Sequence, residues 1–175
     1  MSVKALKQRL TIQPESRARL KRWTVRGLVA LFVAGVFFSW VSYYYSFSFN
    51  MTKSLDGTVY FVKKLQFPKK GELIAFKISE NPFYKKDMTF IKIVGGVEGD
   101  KVTRRGGHYF VNGNKIGPWH ATATSGQALT KGPTGVIPDD HYFVYTPHPR
   151  SFDSRYGRVG WIHKLKVVGT AVELF

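Results

Sequence analysis

The sequence predicts a mainly β domain with curled antiparallel sheets behind one N-terminal membrane-spanning helix. An uncharged, apolar segment covers residues 27–49, and a helix of about 20 apolar residues crosses the hydrocarbon core of a bilayer. After it, short runs of β-branched and aromatic residues alternate with turns that contain Gly, Pro and Asn, which is typical of strands. No later segment has convincing helical periodicity.

The apolar segment has the features of a signal anchor that stays on the protein. The first 26 residues carry eight Lys or Arg and one Glu, a net charge of +7, which the positive-inside rule places in the cytoplasm. A cleaved signal peptide has a similar basic front, but this apolar run is longer than a usual signal core. A soluble protein with one buried helix would not explain the one-sided basic cluster. The predicted parts are a cytoplasmic segment over 1–26, a transmembrane anchor over 27–47, most apolar over Leu28–Tyr44, and a periplasmic domain over 48–175 of a single-pass inner-membrane protein.

The exported part is predicted to consist of strands and turns. Asn112-Gly113 is the clearest local signal, because Asn-Gly accepts positive φ at both central positions of a type I′ hairpin turn. Residues 117–138, rich in Thr, Ser, Gly and Pro, are predicted to form a long loop or a small flap. The predicted strands cover residues 58–65, 71–78, 90–96, 141–146 and 166–174.

Composition excludes several kinds of chemistry and partner. The chain has no cysteine, so it has no thiol nucleophile, cysteine zinc site or disulfide. The net charge is +16 over 175 residues, but beyond the N-terminal cluster there is no dense stripe of Lys or Arg. We therefore expect contact with anionic lipid headgroups or an acidic partner rather than nucleic acid. No metal and no cofactor is expected.

The segment Thr89–Val94 offers a candidate base. The five histidines of the chain lie in no recognisable triad, and a Gly-x-Ser-x-Gly elbow is absent. In a strand, Phe90, Lys92 and Val94 share one face, so a single amine lies among apolar side chains. Burial would lower its pKa and make it a base. Pattern alone leaves open a snorkelling or edge-strand lysine.

Five segments, in order, resemble the sequence boxes of the signal peptidase I family. "MTKSLDGTVY" resembles its nucleophile box, and "FIKIVGGVEGDKV" resembles the box that carries the general-base lysine. "SFDSRYGRVG" resembles the closing box. "KKGELIAFK", between the first two, and "KVVGTAVELF", at the end, are similar to two of the family's strands. The resemblance extends from the apolar segment to the end of the chain.

This resemblance implies a serine peptidase with a Ser-Lys dyad on a mostly β fold. Ser54 aligns with the nucleophile and Lys92 with its general base. Thr52 aligns with a hydroxyl that helps to bind the oxyanion. Ser151 aligns with the serine that hydrogen-bonds the base. Asp153 and Arg155 align with an ion pair, for which a structural role is favoured over a chemical one. The implied substrate is a membrane-inserted preprotein, which explains a nucleophile so close to the bilayer.

Departures from the family pattern resemble the conjugative-transfer, TraF-type peptidases that mature pilins. Lys53 precedes the nucleophile, Leu55-Asp56-Gly57 follow it, and Ile93 follows the base. We therefore predict processing of a pilin precursor for a conjugative or type IV secretion system. Whether water or the pilin's own amine, giving a cyclic pilin, resolves the acyl-enzyme stays open. The alternatives are a general signal peptidase and a non-catalytic assembly subunit of a secretion apparatus.

Overall fold

A computed structural model describes residues 14–49, 55, 57–78, 84 and 88–175 of the protein. The chain divides into two compact units, residues 1–43 and residues 44–175. The first contains most of the helix α1, and the second contains the strands. The candidate site lies in the second unit.

Helix α1 covers Pro14–Tyr44. Its segment Ser16–Tyr44 is long and apolar enough to cross a membrane, with a mean hydropathy of 1.8 in its most apolar window. The helix also includes five basic residues between positions 17 and 26, which precede the predicted anchor. It ends where the most apolar part of the predicted span ends, and Tyr45–Phe49 form a strand instead. "YSFSF" alternates aromatic and small polar residues with the period of two that strands require, and Tyr45 stacks on Phe61 with ring centroids 5.1 Å apart.

The second unit is mainly β, as the sequence predicts. The strands are β1 Tyr45–Phe49, β2 Val59–Lys64, β3 Leu73–Lys77, β4 Thr89–Gly96, β5 Lys101–Arg105, β6 His108–Val111, β7 Asn114–Pro118, β8 Gly135–Val136, β9 His141–Tyr145, β10 Ile162–His163 and β11 Val167–Glu173. Seven of them form one antiparallel sheet in the order β1-β2-β11-β3-β4-β9-β10, and four form another in the order β7-β6-β5-β8. A single 3₁₀ helix, Lys164–Lys166, is found within the described part of this unit.

The predicted hairpin and strand alternation are confirmed. Asn112 and Gly113 have φ angles of 48° and 83°, as a type I′ turn between β6 and β7 requires. In β4, Phe90 and Val94 pack in one apolar cluster with β3 residues, whereas Ile91 packs in another that contains Tyr60 and Ala75. Lys92 therefore belongs to the Phe90 face of the sheet.

Residues 121–129, within the predicted loop, form a small hairpin that we call the flap. Thr122 and Ala128 pair as an isolated antiparallel bridge, and the Leu129 N–H donates to the Ala121 carbonyl at 2.8 Å. The chain just after the flap is attached to the segment that contains Arg155, because the Gly132 N–H donates to the Arg155 carbonyl at 2.8 Å. Gly132 is required there, since a Cβ would collide with the backbone of Ser154 and Arg155.

Candidate active site

Lys92 is a buried lysine at the centre of strand β4. Its relative exposure is 5%, and β3 and β9 pair with β4 on its two sides. Nζ donates a hydrogen bond to Ser151 Oγ at 2.9 Å and lies 5.8 Å from the centroid of the Phe90 ring. The side chain therefore stays inside the protein against a hydroxyl and does not snorkel to solvent.

Burial makes the Lys92 ammonium a stronger acid than the ammonium of an ordinary lysine, so its neutral amine forms at a lower pH. Desolvation disfavours the ammonium and lowers the pKa from 10.5 to about 8, with Asp153 opposing this shift and Arg155 adding to it. Near pH 8, about half of such amines are neutral. A neutral amine beside a hydroxyl can accept a proton, which is what a general base requires.

Ser151 is held in place by the turn that contains it. It is 3% exposed, and its N–H donates to the His148 carbonyl at 3.1 Å. Arg155 Nη2 donates to the His148 carbonyl at 3.1 Å and to the Ser151 carbonyl at 3.4 Å. Hydrogen bonds to the backbone of Ser151 thus fix the position of the hydroxyl that accepts from Lys92.

Asp153 and Arg155 form a fully buried, bidentate ion pair. Arg155 Nε is 2.8 Å from Oδ1, and Nη2 is 2.7 Å from Oδ2; both side chains have 0% exposure. Burial would lower the Arg155 pKa, but hydrogen bonding and the charge of Asp153 outweigh it, so the pKa is raised. Arg155 Nη1 also donates to the Pro118 carbonyl at 3.0 Å. The pair joins the Ser151 turn to the strand that leads into the flap.

Ser54 and Thr52, the predicted nucleophile and oxyanion residue, lie outside the described residues. Leu55, which follows Ser54, packs against the cluster that contains Tyr60 and Ala75. Ile91, which precedes Lys92, packs against the same cluster. Of the six predicted site residues, the structure brings together Lys92, Ser151, Asp153 and Arg155.

An aromatic wall beside Lys92 was not predicted from the sequence. The Tyr84 ring is edge-on to Phe90 at 4.7 Å between centroids and tilted to Phe152 at 5.8 Å. Phe152 in turn stacks on Tyr156 at 5.7 Å. Tyr84 comes from a segment without any pattern, so sequence carried no signal for this contact. Among the described residues, no group of three or more His, Asp or Glu side chains is arranged to hold a metal ion.

Fold and site together define a mainly β domain with a desolvated lysine aligned on a serine hydroxyl, as in hydrolases that use lysine as their base. The family model of signal peptidase, peptidase S26, matches residues 20–175. The chain therefore belongs to this family. Together with the apolar helix, this indicates a membrane-anchored protein.

Two relatives by sequence agree with the family assignment. The chain is 30% identical over 122 residues to "Signal peptidase I" of Bacillus amyloliquefaciens, covering 65% of this chain and 62% of the relative. It is 32% identical over 114 residues to "Probable signal peptidase I-2" of Synechocystis sp., covering 64% of this chain and 50% of the relative. The matches thus span less than two thirds of either relative. The crystal structure of a signal peptidase I from Enterococcus faecalis V583 superimposes with a TM-score of 0.39 and 24% identity, over 60% of this chain and 97% of that one.

Proposed function

We propose that the protein is a membrane-anchored serine endopeptidase that cuts an exported precursor with a Ser54–Lys92 dyad. The observation that supports this best is the buried Lys92 amine, with its pKa lowered to about 8 and its Nζ 2.9 Å from Ser151 Oγ. A lysine held in this way is costly to a fold and useful as a base. Membership in a peptidase family supports the same activity.

In the proposed mechanism, neutral Lys92 takes the hydroxyl proton of Ser54 as Oγ attacks the scissile carbonyl. The Ser54 N–H and the Thr52 hydroxyl stabilise the oxyanion, and loss of one such donor typically slows the reaction by about 10²–10³. The Lys92 ammonium then gives its proton to the leaving amine. Water, or another amine, attacks the acyl-enzyme to release the second product.

Ser151 and the Asp153–Arg155 pair act as positioning residues in this mechanism. The Ser151 hydroxyl fixes the direction of the Lys92 amine, and Arg155 fixes the backbone of Ser151 through its carbonyl. Asp153 keeps the buried guanidinium compensated. None of these groups needs to touch the substrate.

The proposed substrate is a pilin precursor of a conjugative or type IV secretion system. The residues around Ser54, with Lys53 before it and Gly57 after it, support this choice over an ordinary presecretory protein. A general signal peptidase fits the comparisons equally well. Co-expression of the protein with one pilin precursor and one ordinary presecretory precursor separates the two, since a specialised peptidase processes only the first.

The dyad is tested with the full-length protein in membranes and one precursor, by mass spectrometry of the products. Ser54→Ala and Lys92→Arg should each abolish processing, because arginine stays protonated at any accessible pH. Lys101→Arg, an exposed lysine on β5, is the control and should process normally. Wild-type processing should increase as the pH rises through about 8, since the free amine is active. Normal processing by Ser54→Ala would contradict the dyad. Absence of processing by wild type would favour the non-catalytic assembly subunit.

The proposed location is the inner membrane, with the N-terminus in the cytoplasm and the catalytic domain in the periplasm. The +7 charge of the first 26 residues supports this orientation. A periplasm-dependent phosphatase fused after Phe175 should be active, and an inactive fusion would contradict the orientation.

A further inference from the structure

A cleft lies beside the flap, on the segment that carries Ser151. Its volume is about 320 Å³, at the lower end of the range of about 300–1,000 Å³ that is usual for ligand sites. Tyr84 and Phe152 give it an aromatic wall, and Leu129 adds an apolar residue from the flap. His120 and Arg150 also line it. Such a lining suits a short peptide with an apolar side chain.

The cleft is continuous with the surroundings of Lys92. Arg150 and Phe152 are the two neighbours of Ser151, whose hydroxyl accepts the hydrogen bond from Lys92. Tyr84 contacts Phe90 edge-on at 4.7 Å, and Phe90 lies beneath the Lys92 amine at 5.8 Å. The wall of the cleft therefore begins one residue away from the group that holds the base.

One charged group of the cleft is available to a ligand. Arg150 is exposed, and its guanidinium makes no ion pair within the described parts of the chain. A ligand with a carboxylate would pair with it.

The chemistry of a lysine base indicates which part of a substrate reaches this cleft. The ammonium must protonate the leaving nitrogen, so the leaving amine faces Lys92. The residues that follow this nitrogen then extend from the Lys92 side of the site, where the cleft begins. The acyl part of the substrate stays on Ser54.

Resting on the proposed peptidase function, we infer that the cleft binds the leaving segment of the substrate, meaning the first residues after the cleaved bond. An apolar side chain packs between Tyr84, Phe152 and Leu129. Arg150 pairs with an acidic residue next to the apolar one. The cleft thereby selects precursors by the start of their mature part.

The test uses the full-length protein in detergent and three precursor substrates with one signal segment that ends in Ala-Gln-Ala. They differ only after the cleaved bond, where they begin with Ala-Phe-Asp-Asp, Ala-Phe-Lys-Lys or Ala-Gly-Asp-Asp. Wild type should cleave the Asp substrate with a kcat/KM up to about fivefold above that of the Lys substrate, the upper end of what one exposed ion pair contributes. Arg150→Glu should reverse this order.

A reversal of preference separates specificity from misfolding, because a misfolded variant loses activity on every substrate. Arg158→Glu changes an exposed arginine of the same segment that does not line the cleft, and it should keep the wild-type order. Leu129→Ser should reduce the preference for Phe over Gly and leave the charge preference in place. The wild-type order in Arg150→Glu would overturn the inference while the peptidase function stood.

A binding measurement tests the cleft without turnover. A fluorescent Ala-Phe-Asp-Asp peptide should bind to the full-length Ser54→Ala protein about fivefold more tightly than to the same protein with Arg150→Glu, measured by anisotropy. The Ala-Phe-Lys-Lys peptide should show the opposite order. Equal binding of both peptides to both proteins would overturn the cleft as a binding site. If wild type cleaved no precursor and the peptides still bound as expected, the peptidase function alone would fail.

Discussion

Two buried cations, Lys92 and Arg155, lie in the same domain, and their surroundings shift their pKa values in opposite directions. Arg155 has a carboxylate in bidentate contact and donates to four backbone carbonyls. Lys92 has a neutral hydroxyl at 2.9 Å and an aromatic ring below its amine. The pKa of Arg155 is raised, whereas that of Lys92 is lowered.

The comparison shows that burial by itself does not decide the role of a charged side chain. Desolvation acts on both cations. The direct contact with Asp153 outweighs it for Arg155, whereas the charge of Asp153 does not outweigh it for Lys92. Arg155 is therefore suited to permanent structural contacts and Lys92 to proton transfer. Ser151 connects the two, since Arg155 binds its carbonyl and Lys92 its hydroxyl.

Removal of the counter-charge of Arg155 should have the largest effect. Asp153→Ala leaves a guanidinium buried without compensation, which typically costs about 3–5 kcal/mol. The melting temperature of the full-length protein in detergent should fall by roughly 10 °C, at a few degrees per kcal/mol. Asp139→Ala, at an exposed aspartate, should melt like wild type. A melting temperature close to wild type for Asp153→Ala would mean that Arg155 is held by its carbonyls alone.

Lys92 and Arg155 also show how far the sequence predicts the site. The alternation of β4 predicted the face on which Lys92 lies, because its flanking residues are strongly apolar. The sequence resemblance selected Ser151, Asp153 and Arg155, which lie within a single short segment. Neither source predicted Tyr84 or the cleft, because those contacts join the segment around Tyr84 and the flap to the 150–156 segment across long stretches of chain.

The fold could be predicted for the same physical reason. Longer strands rich in β-branched and aromatic residues, such as β2, β4 and β11, need little context to be recognised. The two-residue strands β8 and β10 depend on pairing partners that only the folded chain supplies. Strand β1 was included in the apolar segment because Tyr45, Phe47 and Phe49 are apolar enough for either environment.

Replacement of Lys92, the proposed base, should have the next largest effect on stability, with the opposite sign. Lys92→Met removes a cation that the native state disfavours. With a pKa of about 8 in the folded protein and 10.5 as the ordinary value, burial costs ~3 kcal/mol at pH values below about 8. The variant should be more stable than wild type at pH 7 and inactive. A thermal melt and a cleavage assay on the same samples measure both effects.

The pH dependence of this difference gives a further check. A lowered lysine pKa means that the unfolded chain binds more protons than the native protein between about pH 8 and 10.5. The free energy of unfolding of wild type should therefore approach that of Lys92→Met as the pH rises through this window, and the two values should converge above it. A stability difference that stays constant from pH 7 to 10.5 would contradict a desolvated amine.

The smallest expected effect on stability is that of replacing either of two buried serines, Ser151 and Ser154. The kinetic effects of the two replacements should differ. Ser151 Oγ accepts from Lys92, whereas Ser154 Oγ accepts from the Val144 N–H at 2.8 Å, and both residues are buried. Ser151→Ala and Ser154→Ala each remove one hydrogen bond, which typically costs about 1 kcal/mol. Only Ser151→Ala releases the Lys92 amine from its direction, and misplacement of a catalytic group can cost about 10²-fold in rate. We therefore expect similar small decreases in melting temperature for the two variants, but a decrease in kcat with little change in KM for Ser151→Ala alone. Equal kinetic losses in the two variants would mean that the Ser151 hydroxyl serves the fold and not the base.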